Sequence, residues 1–271
     1  MKKSYNLTLT YPWLPVDQTS AVHCAVCDGK SPAQAVFSFL LNTQIFEIRR
    51  CTIDHLMFLS PQPGDRYIDA LYNHRSYSTG EDDMYGLKID DEKSANIARI
   101  RLDEILKYQQ STGNFLEIGC GGGHTLLEAR KRGFQVQGIE IAQSSIALCR
   151  AKGLDVLDIS YNALDSLPPN TYAVVALYSV LEHTKNPVNF LEQLLPSLKK
   201  DGLLVIRVPN MTKEGPWLSL LDHFWHFESG VLKNILTSFG LIVVDAFPSG
   251  IFHGTIHRGT LESVTFVCRK S

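Results

Sequence analysis

The stretch Phe115–Gly123, FLEIGCGGG, decides the fold of this 271-residue chain. It begins with a short apolar run, which is typical of a buried strand, and it ends in a glycine-rich turn. An amphipathic helix is predicted directly afterwards, because the apolar Leu126 and Leu127 are followed by charged residues up to Arg132. A strand, a glycine turn and a helix together open a nucleotide-binding βαβ unit. Glycine is needed in the turn because a Cβ atom would keep the backbone away from a ligand.

Two carboxylates flank this turn. Glu117 lies two residues before Gly119, and Glu140 closes the next apolar run, where it can accept hydrogen bonds from both hydroxyls of a ribose. The dinucleotide pattern G-x-G-x-x-G is incomplete, because His124 occupies the place of its third glycine. The pattern that is present is G-x-G-x-G, with Gly121 as its second glycine.

Residues 115–123 and 138–140 resemble the first two motifs of the class I S-adenosylmethionine-dependent methyltransferases. The resemblance implies that the glycine turn wraps the methionyl part of the cofactor, that Glu117 holds the methionyl ammonium, and that Glu140 holds the ribose. The family more often has Asp at the position of Glu117. The cofactor-binding residues implied in this way are Glu117, Gly119, Cys120, Gly121, Glu140, Ile141, Asp158 and Tyr178.

Composition and charge exclude several classes of protein. With 44% hydrophobic and 20% charged residues, the chain can bury a full core. The formal net charge of −2 and the lack of a basic stretch argue against nucleic acid as a partner. No apolar run approaches the roughly 20 residues that span a bilayer, and no signal core follows the first residues. We therefore expect a soluble, cytoplasmic protein whose six scattered cysteines form no disulfide scaffold.

Three of the cysteines suggest a metal site. Cys24 and Cys27 form a C-x-x-C knuckle, and Cys51 follows later in CTIDHLMF. This stretch resembles the end of the N-terminal zinc ribbon of several class I methyltransferases, C-x-x-C-G-L-x-F, with Asp54 in place of the fourth cysteine and His55 in place of the glycine. Either three thiolates bind zinc together with Asp54 or His55, or the ribbon has lost its metal and the thiols pack as small hydrophobic groups.

The chain divides into three predicted parts. Residues 1–63 form a small zinc-ribbon-like subdomain, and residues 64–91 form a tyrosine-rich linker that either covers the cofactor pocket or only connects. Residues 92–271 form the methyltransferase-like domain. From Phe115 onward strands and helices alternate, which predicts an α/β fold with helices on both faces of a mainly parallel sheet. The resemblance implies a seven-stranded Rossmann-like methyltransferase sheet whose last strand is antiparallel.

Candidate catalytic residues follow the fourth predicted strand, Tyr172–Leu177. Leu181-Glu182-His183, with Asn186-Pro187 after it, resembles the family's fourth motif. His183 is a candidate general base, because imidazole titrates near neutral pH. The same Glu-His pair occurs in relatives with unrelated acceptors, which favours a pocket-shaping role instead.

An insertion over residues 209–228 is unusually rich in aromatic residues and histidines. The resemblance implies an acceptor-binding lid here, in which Trp217 and Trp225 stack on the acceptor and His223 or His226 acts as base. The alternative is a helix that docks its aromatic side on the sheet. A second candidate wall of the acceptor site is 249–259, which contains two more histidines.

These patterns predict a methyltransferase that uses S-adenosylmethionine on a small-molecule acceptor, such as a sugar, a polysaccharide precursor or a natural product. A zinc ribbon before a class I domain also resembles the front part of deoxysugar C-methyltransferases. Two alternatives remain open: an NAD(P)-dependent oxidoreductase on the same sheet, and a catalytically degenerate methyltransferase-like binding protein.

Overall fold

The computed structural model describes residues 4–6, 19–41, 44–72, 91–158, 164, 166–211, 221–248 and 263–271. The strands in these ranges are β1 (Ser4–Asn6), β2 (Thr19–Ser20), β3 (Ala33–Leu41), β4 (Gln44–Cys51), β5 (Met57–Ser60), β6 (Gln62–Pro63), β7 (Asn114–Ile118), β8 (Gln135–Glu140), β9 (Val156–Asp158), β10 (Tyr172–Tyr178), β11 (Leu198–Pro209), β12 (Trp225–His226), β13 (Leu241–Pro248) and β14 (Ser263–Lys270). The helices are α1 (Asp65–Tyr72), α2 (Asp91–Leu106), α3 (His124–Lys131), α4 (Gln143–Ala151), α5 (Pro187–Leu194) and α6 (Ser229–Ser238).

Seven strands form one sheet in the order β13-β14-β11-β10-β7-β8-β9. The strands from β11 to β9 in this order are parallel to one another, and β14 is antiparallel to both of its neighbours. The inner strand β10 is buried along almost its whole length, as expected for a continuous apolar run covered on both faces. The predicted seven-stranded sheet with its antiparallel last strand is confirmed.

The strand order reverses at β7. The chain continues from β7 to its neighbour β8 on one side, and it reaches β10 on the other side only after β9. In open α/β sheets, ligands bind outside the carboxyl ends of the strands at such a reversal. The ends of β7, β8 and β10 are therefore the expected position of a ligand.

The start of β11 differs from the prediction. The sequence favours a helix from Pro187 to Leu198 and a strand from Gly202, whereas α5 ends at Leu194, one short 3-10 turn follows, and β11 begins at Leu198. The reason is Pro196, which has no N–H group to continue the helix.

The N-terminal part forms a second sheet in the order β1-β3-β4-β5-β12. The sequence between Phe37 and Ile48 favours one strand-like run, whereas the structure has a hairpin of two strands here, β3 and β4. The edge strand β12 comes from the far end of the chain, where Trp225 pairs with Phe58 and His226 with Met57. This pairing joins the segment after β11 to the N-terminal sheet.

One buried cluster runs through both sheets. It contains Phe58 from the N-terminal sheet, Leu177 from the large sheet, and Phe224 between them. Burying each such side chain contributes about 1.5–3 kcal/mol, so the two sheets stabilise each other. A second cluster, which includes Leu102 of α2 and Val174 of β10, also packs against the large sheet. Within the described ranges, no helix is long and apolar enough to cross a membrane.

Candidate functional site

The turn after β7 is held against the end of β8. Gly119, Gly121 and Gly123 have φ angles of 68°, 49° and 78°, which side chains with a Cβ rarely adopt. The backbone N–H groups of Gly119 and Cys120 donate to the carbonyl of Ile139 at 2.8 and 3.2 Å. The turn is therefore fixed at the point where β7 and β8 end.

The three glycines differ in the space around them. A Cβ at Gly119 would lie 2.7 Å from Cγ2 of Val180, and one at Gly123 would lie 2.5 Å from Cδ1 of Leu154. A Cβ at Gly121 would meet no atom of the described residues within 4 Å. Gly119 and Gly123 are thus required by packing, whereas Gly121 faces open space that a ligand can enter.

Glu140 connects this turn to helix α4. Its Oε1 accepts hydrogen bonds from the N–H groups of Ile141 and Ala142 at 2.8 and 2.9 Å, and its Oε2 accepts one from Gly121 at 2.7 Å. A carboxylate offers about four acceptor positions, so these bonds leave one position for a hydroxyl group. The N-terminus of α4 also stabilises the negative charge.

Glu117 is buried within β7, with 2% of its surface exposed. Its Oε1 lies 3.8 Å from Nη1 of Arg101, and its Oε2 has no hydrogen-bond partner among the described residues. Burial raises the pKa of Glu117 to about 7, although Arg101 and a hydrogen bond from Thr125 oppose the rise. A buried oxygen without a partner is costly, and it offers a binding position for a cation such as an ammonium group.

Arg101 of α2 contributes to the site although no sequence motif marks it. Its guanidinium carbon lies 3.8 Å from the ring centroid of Tyr178, and its Nη1 donates to Oγ1 of Thr125 at 3.0 Å. These contacts place α2 beside the ends of β7 and β10. A cation in an amphipathic helix normally indicates a solvated face, so the sequence carries no local signal for this role.

The remaining predicted cofactor residues lie at the same edge of the sheet. Asp158 ends β9 opposite Glu140, and its Oδ2 accepts a hydrogen bond from Gln143 at 2.9 Å. A hydrogen bond with Cys149, together with burial, raises the pKa of Cys120, which therefore stays protonated and packs near Gly138. The structure thus brings the predicted set together at the strand ends, and its role in cofactor binding stays a prediction.

An apolar cleft lies between α2 and the large sheet. Its polar lining groups include Arg101, Arg207 and Tyr178, and none of the glycine-turn residues lines it. It borders the crevice at the strand ends, because Arg101 and Tyr178 line the cleft and also belong to the site.

Two acids and two histidines meet beyond the end of β10: Glu182, His183, Asp222 and His223, which we name the acid–histidine cluster. Nδ1 of His183 lies 2.9 Å from the carbonyl oxygen and 3.3 Å from Oδ2 of Asp222. Its Nε2 lies 3.9 Å from Oε1 of Glu182, and its ring packs edge to face on that of His223 with the centroids 4.6 Å apart. The sequence marks both histidines but not Asp222, which long-range packing places there.

Protonation differs within this cluster. Burial lowers the pKa of His183, but Asp222 and Glu182 outweigh it and raise the value to about 9. Burial and the neighbouring His183 lower the pKa of His223 to about 3. Burial also raises the pKa of Glu182, and neither of its carboxylate oxygens has a hydrogen-bond partner among the described residues. At neutral pH His183 is therefore cationic and His223 is neutral.

Trp225 and His226 lie in the core rather than at an acceptor surface. The indole N–H of Trp225 donates to the carbonyl of Thr184 at 2.6 Å, and its ring packs on Phe58. His226 is 4% exposed, and burial lowers its pKa to about 4. These contacts correct the expectation that Trp225 stacks on an acceptor and that His226 acts as base, because strand pairing buries both. Trp217 lies outside the described residues, as does the second candidate wall at 249–259.

The three N-terminal cysteines converge with Asp54, and we name these four residues the cysteine cluster. Oδ2 of Asp54 lies 3.1 Å from the Sγ atoms of both Cys24 and Cys51, and the Sγ atoms of Cys27 and Cys51 lie 3.8 Å apart. A tetrahedral zinc with Zn–S bonds of about 2.3 Å separates its sulfurs by a similar distance. His55 does not belong to this group, so Asp54 is the fourth candidate ligand.

Burial raises the pKa of the Cys24 thiol, and the Asp54 carboxylate adds to the rise. Three buried or half-buried thiols around a carboxylate form a donor set that a divalent cation satisfies better than protons do. The residues present therefore fit a zinc ion.

Comparison with known protein families identifies one domain. A family model described as "Methyltransferase domain" matches residues 91–246, which is more than half of the chain. The match begins at α2 and ends within β13, so it covers the glycine turn and the acid–histidine cluster.

Among curated proteins, the chain is 28% identical over 164 residues to a ubiquinone biosynthesis O-methyltransferase of Rickettsia conorii, covering 57% of this chain and 55% of the relative. It is 30% identical over 133 residues to the protein of the same name from Rickettsia bellii, covering 45% of this chain and 55% of the relative. The chain thus spans about half the length of the curated relatives that it matches.

Solved structures share the fold. A 1,6-didemethyltoxoflavin-N1-methyltransferase of Burkholderia thailandensis, with bound 1,6-didemethyltoxoflavin and S-adenosylhomocysteine, superposes with a TM-score of 0.59 at 14% identity, covering 86% of this chain and 99% of that one. An S-adenosylmethionine-dependent methyltransferase of Archaeoglobus fulgidus gives a TM-score of 0.53 at 19% identity, covering 65% and 94%. At these identities the likeness shows the fold alone.

Proposed function

The chain belongs to the methyltransferase-domain family, and from this premise we propose that it transfers the methyl group of S-adenosylmethionine to a small-molecule acceptor. Together with the observed strand order, the family match confirms the predicted class I methyltransferase domain. The names of the curated relatives and the ligands of the solved structures support this cofactor and a small acceptor. The activity of the whole protein and the identity of its acceptor belong to the proposal.

One observation carries the cofactor assignment. Glu117, two residues before the glycine turn, holds a buried carboxylate oxygen that has no hydrogen-bond partner among the described residues, and Gly121 of the turn faces open space. We propose that this oxygen holds the methionyl ammonium and that the turn admits the methionyl chain. The last acceptor position of Glu140 would hold a ribose hydroxyl, with Asp158 and Tyr178 beside the base. When bound, S-adenosylmethionine supplies a sulfonium methyl group that is already activated.

The chain's own contribution is alignment. Val180 packs directly on Gly119, so the residues that follow β10 are fixed relative to the glycine turn. Alignment of two reactants can supply on the order of 7–11 kcal/mol of the barrier. We propose that His183 and His223 line the acceptor side. Without a bound metal ion, His183 is cationic at neutral pH and can donate a hydrogen bond to the acceptor, whereas the neutral His223 can accept one from the acceptor.

We also propose that the cysteine cluster binds one zinc ion that stabilises the N-terminal sheet. Its ligands would be Cys24, Cys27, Cys51 and Asp54.

All six cysteines of the chain are free, which supports a reducing compartment such as the cytoplasm.

Calorimetry on the full chain tests the cofactor assignment. We expect S-adenosylhomocysteine to bind with one ligand per chain and NADH not to bind. Incubation with isotopically labelled S-adenosylmethionine and candidate acceptors then measures transfer directly. Tight NADH binding without binding of S-adenosylhomocysteine would contradict the proposal. If a variant without the Glu117 carboxylate bound S-adenosylhomocysteine with full affinity, this would contradict the assigned role of Glu117.

A further inference from the structure

The carboxylate of Glu182 is the least satisfied polar group beside the proposed acceptor side. It is 1% exposed, and both of its oxygens lack a hydrogen-bond partner among the described residues. A buried carboxylate without partners costs several kcal/mol unless a cation or a proton compensates it. The backbone around it is fixed, because its carbonyl accepts a hydrogen bond from the N–H of Phe224 at 2.8 Å.

Nitrogen atoms face this carboxylate. Nε2 of His183 lies 3.9 Å from Oε1 of Glu182, and the ring of His223 packs against that of His183. One ligand atom from each of the three residues lies within 4.8 Å of the other two. Two ligand atoms that each bond a first-row metal ion at about 2.1 Å lie at most about 4.2 Å apart. The 3.9 Å between Nε2 of His183 and Oε1 of Glu182 meets this limit, and a small side-chain shift brings a ring nitrogen of His223 within it.

We propose that the acid–histidine cluster binds one divalent transition-metal cation through the Glu182 carboxylate, Nε2 of His183 and a ring nitrogen of His223. Two histidines and one carboxylate are a ligand set that suits Mn²⁺, Fe²⁺, Co²⁺ or Zn²⁺. No residue of the cysteine cluster takes part, so this site is distinct from the proposed zinc site.

Asp222 gives the site its outer support. Nδ1 of His183 faces the carbonyl and Oδ2 of Asp222, so this nitrogen carries the proton and Nε2 is left as the metal ligand. Metal-bound histidines are commonly held in this way by a carboxylate or a carbonyl. The second oxygen of Asp222, Oδ1, also lacks a hydrogen-bond partner among the described residues.

The charges in the cluster favour a cation. Glu182 and Asp222 together bring two buried carboxylates, whereas the cluster itself supplies one positive charge, the proton that His183 can carry, and Arg207 acts on Glu182 from outside the cluster. A divalent cation on Nε2 of His183 would displace that proton and balance both carboxylates.

The site lies where an acceptor would lie, and this step rests on the proposed methyltransferase function. His183 and His223 are only partly buried, so an acceptor could reach a metal ion that these residues and Glu182 would hold. An oxygen donor of the acceptor can then bind this ion. The inferred substrate class is therefore one with a hydroxyl or carbonyl oxygen next to the methylated atom.

Mn²⁺ tests this inference on the full chain, because it prefers oxygen and nitrogen ligands and avoids the cysteine cluster. Electron paramagnetic resonance follows the loss of the free Mn²⁺ signal. We expect saturable binding of one Mn²⁺ per chain. Glu182→Gln and His223→Gln should each weaken it by at least about 100-fold, and Asp222→Asn by roughly 10- to 100-fold. His226→Gln changes a nearby histidine outside the cluster and should leave Mn²⁺ affinity unchanged.

The outcomes separate this site from the proposed function. Failure of the wild-type chain to bind Mn²⁺ saturably, or equal binding by the wild type and His223→Gln, would overturn the metal site. Binding of S-adenosylhomocysteine, measured on the same samples, reports independently on the cofactor assignment. If circular dichroism shows that Glu182→Gln does not fold, His223→Gln decides the matter, because His223 is only half-buried.

Discussion

The backbone N–H of Gly121 donates a 2.7 Å hydrogen bond to Oε2 of Glu140. The acid that ends β8 therefore holds the turn that follows β7. Two positions proposed to touch one ligand are thus coupled before that ligand arrives, and changes at either of them should affect both stability and affinity.

Glu140→Gln tests this coupling. The amide of Gln keeps only one acceptor oxygen. It therefore cannot accept hydrogen bonds both from the N–H of Gly121 and from the N–H groups of Ile141 and Ala142. We expect the free energy of unfolding to fall by about 1.5–3 kcal/mol and affinity for S-adenosylhomocysteine to fall at least about 10-fold. Thermal unfolding and calorimetry measure the two effects. Asp155→Asn, an exposed position just before the neighbouring strand β9 and outside the proposed site, is the control and should change both quantities less. An unchanged affinity in Glu140→Gln would contradict a role in cofactor binding.

The glycines of the turn should separate binding from stability. Gly121→Ala adds a methyl group to open space at a φ of 49°, so it should cost on the order of 1 kcal/mol of stability and most of the affinity for S-adenosylhomocysteine. Gly123→Ala forces its methyl group against Leu154 and Cys149, so its stability cost should exceed that of Gly121→Ala by about 1–3 kcal/mol. Its melting temperature should therefore be lower than that of Gly121→Ala. If Gly121→Ala retained full affinity, the ligand would not pass over this residue.

Glu117 should make stability depend on pH. Its folded pKa of about 7 exceeds the ordinary value of 4.5, so between these pH values the folded state holds a proton that the unfolded state releases. The free energy of unfolding should therefore fall by about 3 kcal/mol as the pH rises from 4.5 to 7, through this group alone. Glu117→Gln cannot release a proton and should lose this dependence.

Urea unfolding at pH 5 and pH 8 measures this effect. Glu117→Gln should be more stable than the wild type at pH 8 and similar to it at pH 5, while its affinity for S-adenosylhomocysteine at pH 8 falls. Equal pH profiles for the two proteins would show that Glu117 titrates normally.

The cysteine cluster makes a separate prediction. Protein purified without a histidine tag should contain one zinc per chain, and Cys51→Ser should lose it together with several kcal/mol of stability, because metal binding contributes to folding. Asp54→Cys should keep the zinc and bind it more tightly. Cys268→Ser, another buried cysteine that lies in β14, is the control and should keep the zinc. Wild-type protein without zinc in elemental analysis would argue for metal-free thiols.

Local patterns predict much of the large sheet and its site. The apolar runs and the spacing of Glu117, the glycines and Glu140 indicate the strands and the turn, because each depends on neighbours in sequence. What the sequence does not reveal depends on contacts between distant segments. Arg101 reaches Tyr178 from another element, and Asp222 reaches His183 through the return of the chain after β11.

Trp225 is a second example of a position that the sequence does not reveal. An aromatic residue in an insertion has the same appearance in the sequence whether it stacks on a ligand or fills a core. Its position is decided by pairing with Phe58, which lies far earlier in the chain and carries no sign of this partner.

The pairing of β12 with β5 also has a consequence for chimaeric proteins. Leu59 donates to the carbonyl of Phe224, whose own N–H binds the carbonyl of Glu182, so a line of backbone bonds runs from the N-terminal sheet to the acid–histidine cluster. The first seventy or so residues are therefore no exchangeable module. A chimaera that replaced them with the N-terminal part of another protein would also reshape the chemistry beyond β10.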